Sequence, residues 1–210
     1  MKNTRRFASV ATAALLAACV AVPMTSAFSA SAATAGTVTF TKADTKDAAT
    51  HTYKAYKIFS GTVDETGTLN NIQWANTAKG ADFLTALKAD GTIGDSFKDC
   101  DTAAAVAAIL GAQEADSTLL QNFATFAASQ KDNLTLVSAD AAESIAVTED
   151  GYYLFEDVTD LTNATGAKTR YLVAQVDASA GLDITVKSSL PSVEKKIKEN
   201  TKAVGYGTDP

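Results

Sequence analysis

The chain has 210 residues, of which 46% are hydrophobic, 20% charged and 8% aromatic, and its 18 basic residues stand against 24 acidic ones. The resulting net charge of −6 would be repelled by nucleic acid and by anionic membrane surfaces, so neither is expected as a partner. The length is sufficient for one ordinary hydrophobic core outside any targeting segment.

The N-terminus, residues 1–32, has the order of a secretory signal peptide. Lys2, Arg5 and Arg6 precede an apolar run at 7–24, and small residues follow that run. We expect cleavage between Ala32 and Ala33, directly after an Ala-Ser-Ala sequence. Because the removed segment carries basic residues and no acidic ones, the exported chain is still more acidic than the whole.

Two other interpretations of this N-terminal segment stay open. An apolar stretch of about 20 residues is long enough to anchor a chain in a bilayer, although the small residues at its end favour cleavage. The sequence Leu16-Ala-Ala-Cys19 has the small-residue pattern at which lipoproteins are modified on cysteine. However, apolar residues continue as far as Val22, so Cys19 lies inside the hydrophobic stretch rather than at its end.

The cysteine content constrains how an exported domain is stabilised. Cys19 falls in the signal peptide, which leaves Cys100 alone in the mature chain. No intramolecular disulfide can form there, so the domain depends on its core, a metal or some other crosslink. We interpret Cys100 as a buried or half-buried residue without a chemical role.

The first half of the exported chain contains strands followed by helices. Alternation with period two at 37–42 and 52–59 predicts two strands, and a third at 68–74 follows turn residues and forms a hairpin with the second. From 80 to 130 the apolar spacing becomes helical and predicts three short helices in one insertion. Asp101-Thr102 and Asp116-Ser117 are the predicted caps.

The second half returns to strand patterns, at 144–148, 152–156, 170–176 and 182–187. Alternating strands with turns between them predict a sandwich, so the fold class is α+β, mainly β. Pro191 closes this domain, and residues 192–198 have the pattern of a first strand of another domain. We expect that second domain to continue beyond the end of this sequence.

Groups for catalysis or metal binding are few. The only histidine, His51, has no serine and acid at triad spacing and is interpreted as a partly exposed strand residue. Phosphate-binding loops, dinucleotide turns and zinc-type clusters are absent from the sequence. Asp90, Asp95, Asp99 and Asp101 do not follow calcium-loop spacing and are interpreted as solvated charges. We therefore expect no enzyme, no catalytic residue, no metal and no cofactor.

Four segments taken together resemble the N-terminal domain of Gram-positive, isopeptide-forming fimbrial proteins, which are backbone pilins assembled by sortase. Their order and spacing are more specific than any one of them. The segments are His51-Thr-Tyr-Lys-Ala-Tyr-Lys-Ile-Phe-Ser-Gly61, Leu69-Asn-Asn-Ile-Gln-Trp74, Gly151-Tyr-Tyr-Leu-Phe-Glu-Asp157 and Val186-Lys-Ser-Ser-Leu-Pro-Ser-Val-Glu-Lys-Lys196.

The resemblance implies an immunoglobulin-like (Cna-B-like) β-sandwich with a helical insertion over 33–190. Residues 191–210 would then be a linker and the first strand of a second, truncated isopeptide-forming domain. The implied location is a cell wall-anchored surface pilus. The implied partners are identical pilin subunits, a pilin-specific sortase and host surface glycans or matrix proteins.

The family also implies roles for particular lysines. Sortase joins the C-terminal signal of one subunit to a lysine near the end of the N-terminal domain of the next, and that acceptor would be Lys187. The family motif has Tyr-Pro before this lysine and Asn after it, whereas Thr185-Val186 and Ser188 stand here. An ordinary lysine at a strand end is therefore the alternative interpretation.

Related domains form an internal amide between a lysine and an asparagine with the help of a buried carboxylate. Lys195 or Lys196 would be that lysine in the second domain. Within the first domain Lys42 and Asp157 form a conceivable pair, but a strand-end lysine and an aspartate that opens a turn are the favoured interpretation.

Two other functions stay open, a minor or tip pilin that acts as an adhesin and an exported carbohydrate-binding module. A carbohydrate module exposes aromatic platforms, whereas Trp74 and most of the tyrosines fall at positions typical of a core. The sequence therefore favours a shaft subunit over an adhesin, and an adhesin over a sugar-binding module.

Overall fold

The computed structural model describes residues 36–43, 46–138, 142–162, 166, 168 and 171–186. The predicted signal peptide, its cleavage site at Ala32 and Ala33, and the predicted start of a second domain lie outside these residues. Within them, no helix combines the length and the apolar character needed to cross a membrane.

Eight strands and four α-helices lie in the described ranges, together with a short 3-10 helix at Lys131–Asn133. The strands are β1 (Thr37–Lys42), β2 (Tyr53–Val63), β3 (Leu69–Trp74), β4 (Thr135–Leu136), β5 (Ser144–Ala146), β6 (Gly151–Asp157), β7 (Tyr171–Val176) and β8 (Leu182–Val186). The helices are α1 (Gly80–Ala89), α2 (Gly94–Phe97), α3 (Ala103–Gly111) and α4 (Thr118–Ser129).

The strands form two sheets. The larger has the order β3-β2-β6-β7, and β4 also pairs with β2. Phe59 of β2 lies opposite Trp74 of β3, while Tyr56 lies opposite Leu136 of β4. Because β6 occupies the other edge of β2, the helices leave from β3 and return through β4 to the same edge. They are therefore an insertion in the sheet, as the sequence predicts.

The smaller sheet has the order β5-β1-β8, with β1 antiparallel to β5 and parallel to β8. It packs against one face of the larger sheet, and the helices pack against the other face. The described residues therefore form a mainly β, sandwich-like arrangement with a helical layer on one side.

Strand β6 shows why the two faces differ. Tyr152 and Leu154 point toward the helices, whereas Tyr153 and Phe155 point toward the smaller sheet. Since successive side chains of a strand point to opposite faces, a strand that is covered on both faces needs an almost continuous apolar run. The sequence Gly-Tyr-Tyr-Leu-Phe at the start of β6 meets that need.

The layer between the larger sheet and the helices is built on aromatic contacts. The ring of Phe83 on α1 lies 5.3 Å from the rings of Trp74 and Phe126, centroid to centroid. Helices α3 and α4 begin at the caps that the sequence predicts. Thr102 accepts a hydrogen bond from the N–H of Ala105 at 3.1 Å, and Ser117 caps α4 in the same way.

The helical insertion has one more helix than expected, so the prediction of three helices is wrong. The missed element is α2, a single turn that begins at Gly94. Gly91 and Gly94 interrupt the helical pattern in the sequence, because glycine disfavours a helix interior. A Cβ at position 94 would lie 2.5 Å from the carbonyl oxygen of Lys88, so this glycine allows close packing of the turn against α1.

Candidate functional site

The C-terminal ends of β1 and β8 lie side by side. Lys42 is opposite Val186 in the parallel register, and the N–H of Ala43 donates to the carbonyl of Val186 at 3.0 Å. Lys187 is the next residue of the chain and lies outside the described residues, as do Lys195 and Lys196. Their roles as acceptor and crosslinking lysines stay predictions.

The side chain of Lys42 binds the connection between β1 and β2. Its Nζ donates to the main-chain carbonyl of Asp47 at 2.7 Å and to that of Ala49 at 2.9 Å. The amine therefore binds backbone oxygens, while the carboxylate of Asp157 binds elsewhere. The premise that Asp157 is not fully buried is wrong, because the residue is 3% exposed at the end of β6, and the absence of a crosslink to Lys42 stays a prediction.

A buried polar group lies next to this connection, and we call it the histidine cluster: Asp47, His51, Asp157 and Thr159. Nδ1 of His51 lies 2.9 Å from Oδ2 of Asp157, and Nε2 lies 3.0 Å from Oδ2 of Asp47. The histidine side chain is 4% exposed and both carboxylates are 0% exposed. The cluster joins the connection before β2 to the last residue of β6.

Backbone and hydroxyl donors complete the cluster. Oδ1 of Asp157 accepts from the N–H of Thr159 at 3.0 Å and from its hydroxyl, and Oδ1 of Asp47 accepts from the N–H of Ala49 at 3.0 Å. Gly166 covers Asp47 closely, because a Cβ there would lie 2.7 Å from Oδ1. Each carboxylate therefore uses one oxygen for His51 and the other for its own loop.

The interpretation of His51 as a partly exposed strand residue is wrong. The residue is only 7% exposed and precedes β2, which begins at Tyr53. The sequence does hold the signal, since His51, Tyr53 and Ala55 alternate and the last two are buried between the sheets. In the same way Asp157 continues the inward face of β6.

The charges of the cluster also act on Tyr53, whose ring stacks on His51 with centroids 6.3 Å apart. Burial raises the pKa of the Tyr53 phenol, and the negative charges of Asp157 and Asp47 raise it further. This tyrosine therefore stays neutral and packs as an apolar residue.

A second buried charge lies on β2. Nζ of Lys57 lies 2.7 Å from Oε2 of Glu149 and 5.6 Å from the centre of the Tyr153 ring. The hydrogen bond and charge of Lys57 hold the pKa of Glu149 below its ordinary value. The pair ties β2 to the turn before β6.

The aspartates near α2 act locally. Asp90 accepts hydrogen bonds from the N–H groups of Thr92 and Ile93, and Asp101 pairs with Lys88 at 2.9 Å. The other two aspartates of this group are exposed. In the part of the chain that the structure describes, no three His, Cys, Asp or Glu residues are placed to hold a metal ion.

Chemically, the histidine cluster is suited to holding loops and not to turning over a substrate. The hydroxyl of Thr159 lies 3.3 Å from Nδ1 of His51, but the residue is almost completely covered. A nucleophile must reach its substrate, and this hydroxyl is already engaged with Asp157. The cluster therefore has the character of a structural lock.

A scan of the chain against protein-family models and a search of curated proteins both found no match. The function is therefore inferred from the residues themselves.

Proposed function

We propose that the protein is a shaft subunit of a sortase-assembled Gram-positive pilus, exported and covalently polymerised through Lys187. In this proposal the described domain is an immunoglobulin-like (Cna-B-like) sandwich that lies before a second, isopeptide-forming domain. The observation that carries the proposal is the ordered set of four pilin-like segments, with Lys187 directly after the last strand of the domain.

The position of β8 supports an acceptor at the domain exit. The strand ends at Val186, where it is hydrogen-bonded to β1. A lysine that directly follows this strand is connected to the two-sheet domain on one side and to the next predicted domain on the other. An amide formed there would link one subunit to the body of the next.

In the sortase reaction the pilin contributes one reacting group, the lysine amine. The sortase cysteine holds the C-terminal acyl group of one subunit as a thioester, and the lysine amine attacks its carbonyl carbon. The thiolate leaves, the amine loses a proton and an amide results. In this proposal the pilin supplies only the nucleophile, and the sortase supplies the catalytic cysteine.

The aromatic residues favour a pilin over a sugar-binding module. A carbohydrate platform needs an accessible ring, whereas Trp74 is partly buried and packs on Phe59 and Phe83 with centroids 5.1 and 5.3 Å apart. Tyr152 and Tyr153 are both buried in the described sheet. These rings stabilise the core, so the sugar-binding alternative has less support than a pilin.

The proposal is tested by producing the full-length protein together with its pilin sortase and separating the cell-wall extract on a denaturing gel. We expect a ladder of covalent polymers that disappears in Lys187→Arg, because the guanidinium cannot form the amide. Lys98→Arg, at an exposed lysine of α2's C-cap, is the control and should keep the ladder.

Each other outcome of this gel has its own meaning. A ladder that persists in Lys187→Arg would refute the acceptor assignment and leave the pilin proposal standing. Wild-type protein that is joined only once to a shaft made of another pilin would favour the tip adhesin. Wild-type protein that is never joined would refute both pilin functions.

A further inference from the structure

The contacts of His51 require more protons than a neutral imidazole carries. Neutral imidazole has a single N–H, and an ionised carboxylate is only an acceptor. Both ring nitrogens nevertheless lie within 3.0 Å of a carboxylate oxygen in a site that excludes solvent. With one proton, one of these contacts would bring two lone pairs together, at the cost of an unsatisfied buried polar group.

The hydrogen bonds to the second oxygen of each carboxylate indicate which group carries the extra proton. Asp157 accepts from the N–H and the hydroxyl of Thr159, and Asp47 accepts from the N–H of Ala49. Donors of this kind stabilise the ionised carboxylate. The proton therefore belongs on the ring, as an imidazolium between two carboxylates.

The charged and titratable groups around the cluster are compatible with an imidazolium at His51. From β1, the Lys42 amine binds the main-chain carbonyls of Asp47 and Ala49 and brings a positive charge close to the cluster. From β2, Tyr53 contributes a neutral ring. After β6, the carboxylate of Asp160 is exposed and accepts from the N–H and the hydroxyl of Thr162. The imidazolium and the Lys42 ammonium therefore both lie close to the negative charge of the two carboxylates.

We propose that the histidine cluster is a proton-dependent lock, in which His51 is an imidazolium that ties the connection 46–52 to the end of β6. The lock is independent of the proposed pilin function, because it concerns only the folded domain. Loss of the proton leaves two buried carboxylates against a ring that can satisfy only one of them.

The consequence for stability has a definite sign. A histidine in an unfolded chain is mostly neutral above about pH 6.5, so folding to a state with an imidazolium then takes up a proton. The lock is thus fully effective below that pH and weakens above it. Where the folded state holds one proton more than the unfolded state, the unfolding equilibrium constant rises toward about tenfold per pH unit.

A substitution that replaces the extra proton tests this. Asp47→Asn keeps an oxygen for the N–H of Ala49 and offers an amide N–H to Nε2, so a neutral His51 satisfies both contacts. Between pH 7 and pH 9 we expect the unfolding equilibrium constant of the wild type, measured by urea denaturation, to rise by up to about tenfold more per pH unit than that of Asp47→Asn. Asp95→Asn, at an exposed aspartate, should keep the wild-type pH dependence.

A direct spectrum keeps the proposal testable if the variant does not fold. His51 is the only histidine of the chain, so its ring nitrogens are assigned without ambiguity. In the folded wild type at pH 8, nitrogen-15 NMR should show two protonated ring nitrogens. One protonated and one bare nitrogen would overturn the proposal, as would equal pH slopes for the wild type and Asp47→Asn.

Discussion

The two sides of the larger sheet are stabilised by different means. Toward the helices, the described layer consists mainly of apolar and aromatic side chains, among them Phe83, Phe97 and Phe123. A partly buried ion pair between Lys131 and Glu156 lies at its border. Toward the smaller sheet, an apolar layer around Tyr53 and Phe155 borders on the fully buried histidine cluster. The first layer depends mainly on removing apolar surface from water, and the second adds a buried group of hydrogen-bonded charges to this.

The two layers should therefore differ in whether their contribution to the free energy of unfolding depends on pH. Apolar burial does not depend on protonation, so the helical layer should contribute the same free energy of unfolding at every moderate pH. The layer between the sheets should lose stability when the charges of its cluster change. Variants of the two layers are therefore best compared at two pH values rather than at one.

The largest effect is expected from Phe83→Ala in the helical layer. The ring is fully buried against Trp74 and Phe126, and its loss leaves a cavity. We expect a loss of about 3 to 5 kcal/mol in the free energy of unfolding, measured by urea denaturation, and the same loss at pH 6 and pH 8.

The control for Phe83→Ala is Leu136→Ala, at a side chain that is 51% exposed. Its loss should stay within about 0.5 kcal/mol. A loss for Phe83→Ala that differed clearly between the two pH values would contradict the division between the layers.

The next effect is expected from Asp157→Ala in the histidine cluster. The change leaves Nδ1 of His51 and the N–H of Thr159 without the carboxylate that they bind. We expect a loss of about 3 kcal/mol at pH 6, because a buried charge loses its partner. The loss should be smaller at pH 8, and a loss that was equal at both pH values would argue that the cluster acts only through packing.

A smaller effect is expected at the beginning of α4. Ser117 accepts a hydrogen bond from the N–H of Leu120 at 3.2 Å. Ser117→Ala should lower the free energy of unfolding by about 1 kcal/mol, independently of pH, because an N–H of the first turn loses its partner. Ser96→Ala, at an exposed serine of α2, is the control. An equal loss of stability in both variants would contradict a stabilising role for the Ser117 cap.

The smallest effect is expected from Glu149→Gln. The carboxylate is 74% exposed although its partner Lys57 is buried, so the loss should be below about 1 kcal/mol. Since Lys57 holds the pKa of Glu149 below its ordinary value, the pair stabilises the fold above that value and stops doing so as pH falls. Denaturation at pH 7 and at pH 3 should show a difference between wild type and variant only at pH 7.

Most of the framework could be predicted from the chain. Strand patterns predicted the seven longer strands, with clear period-two alternation in the first two, and the caps at Thr102 and Ser117 predicted two helix starts. The two-residue β4 and the single turn α2 were missed, because elements so short show no periodicity. Their positions depend on packing against β2 and α1.

The histidine cluster could be predicted only in part. Alternation places His51 on the inward face before Tyr53 and Asp157 on the inward face of β6. The register that brings Tyr53 opposite Asp157 arises from pairing between segments about 100 residues apart, which one sequence does not reveal. Without that register, the sequence indicates only a partly exposed strand residue at His51.

The central claim is tested most directly by tandem mass spectrometry of protein polymerised by its sortase in the full-length form. The account predicts a branched peptide in which the Lys187 amine is joined through an amide to the C-terminal residue of a second subunit. A branch at another lysine would contradict the assignment of Lys187 as the acceptor. Protein that stays unbranched in the presence of an active sortase would contradict the proposal that it is a pilus subunit.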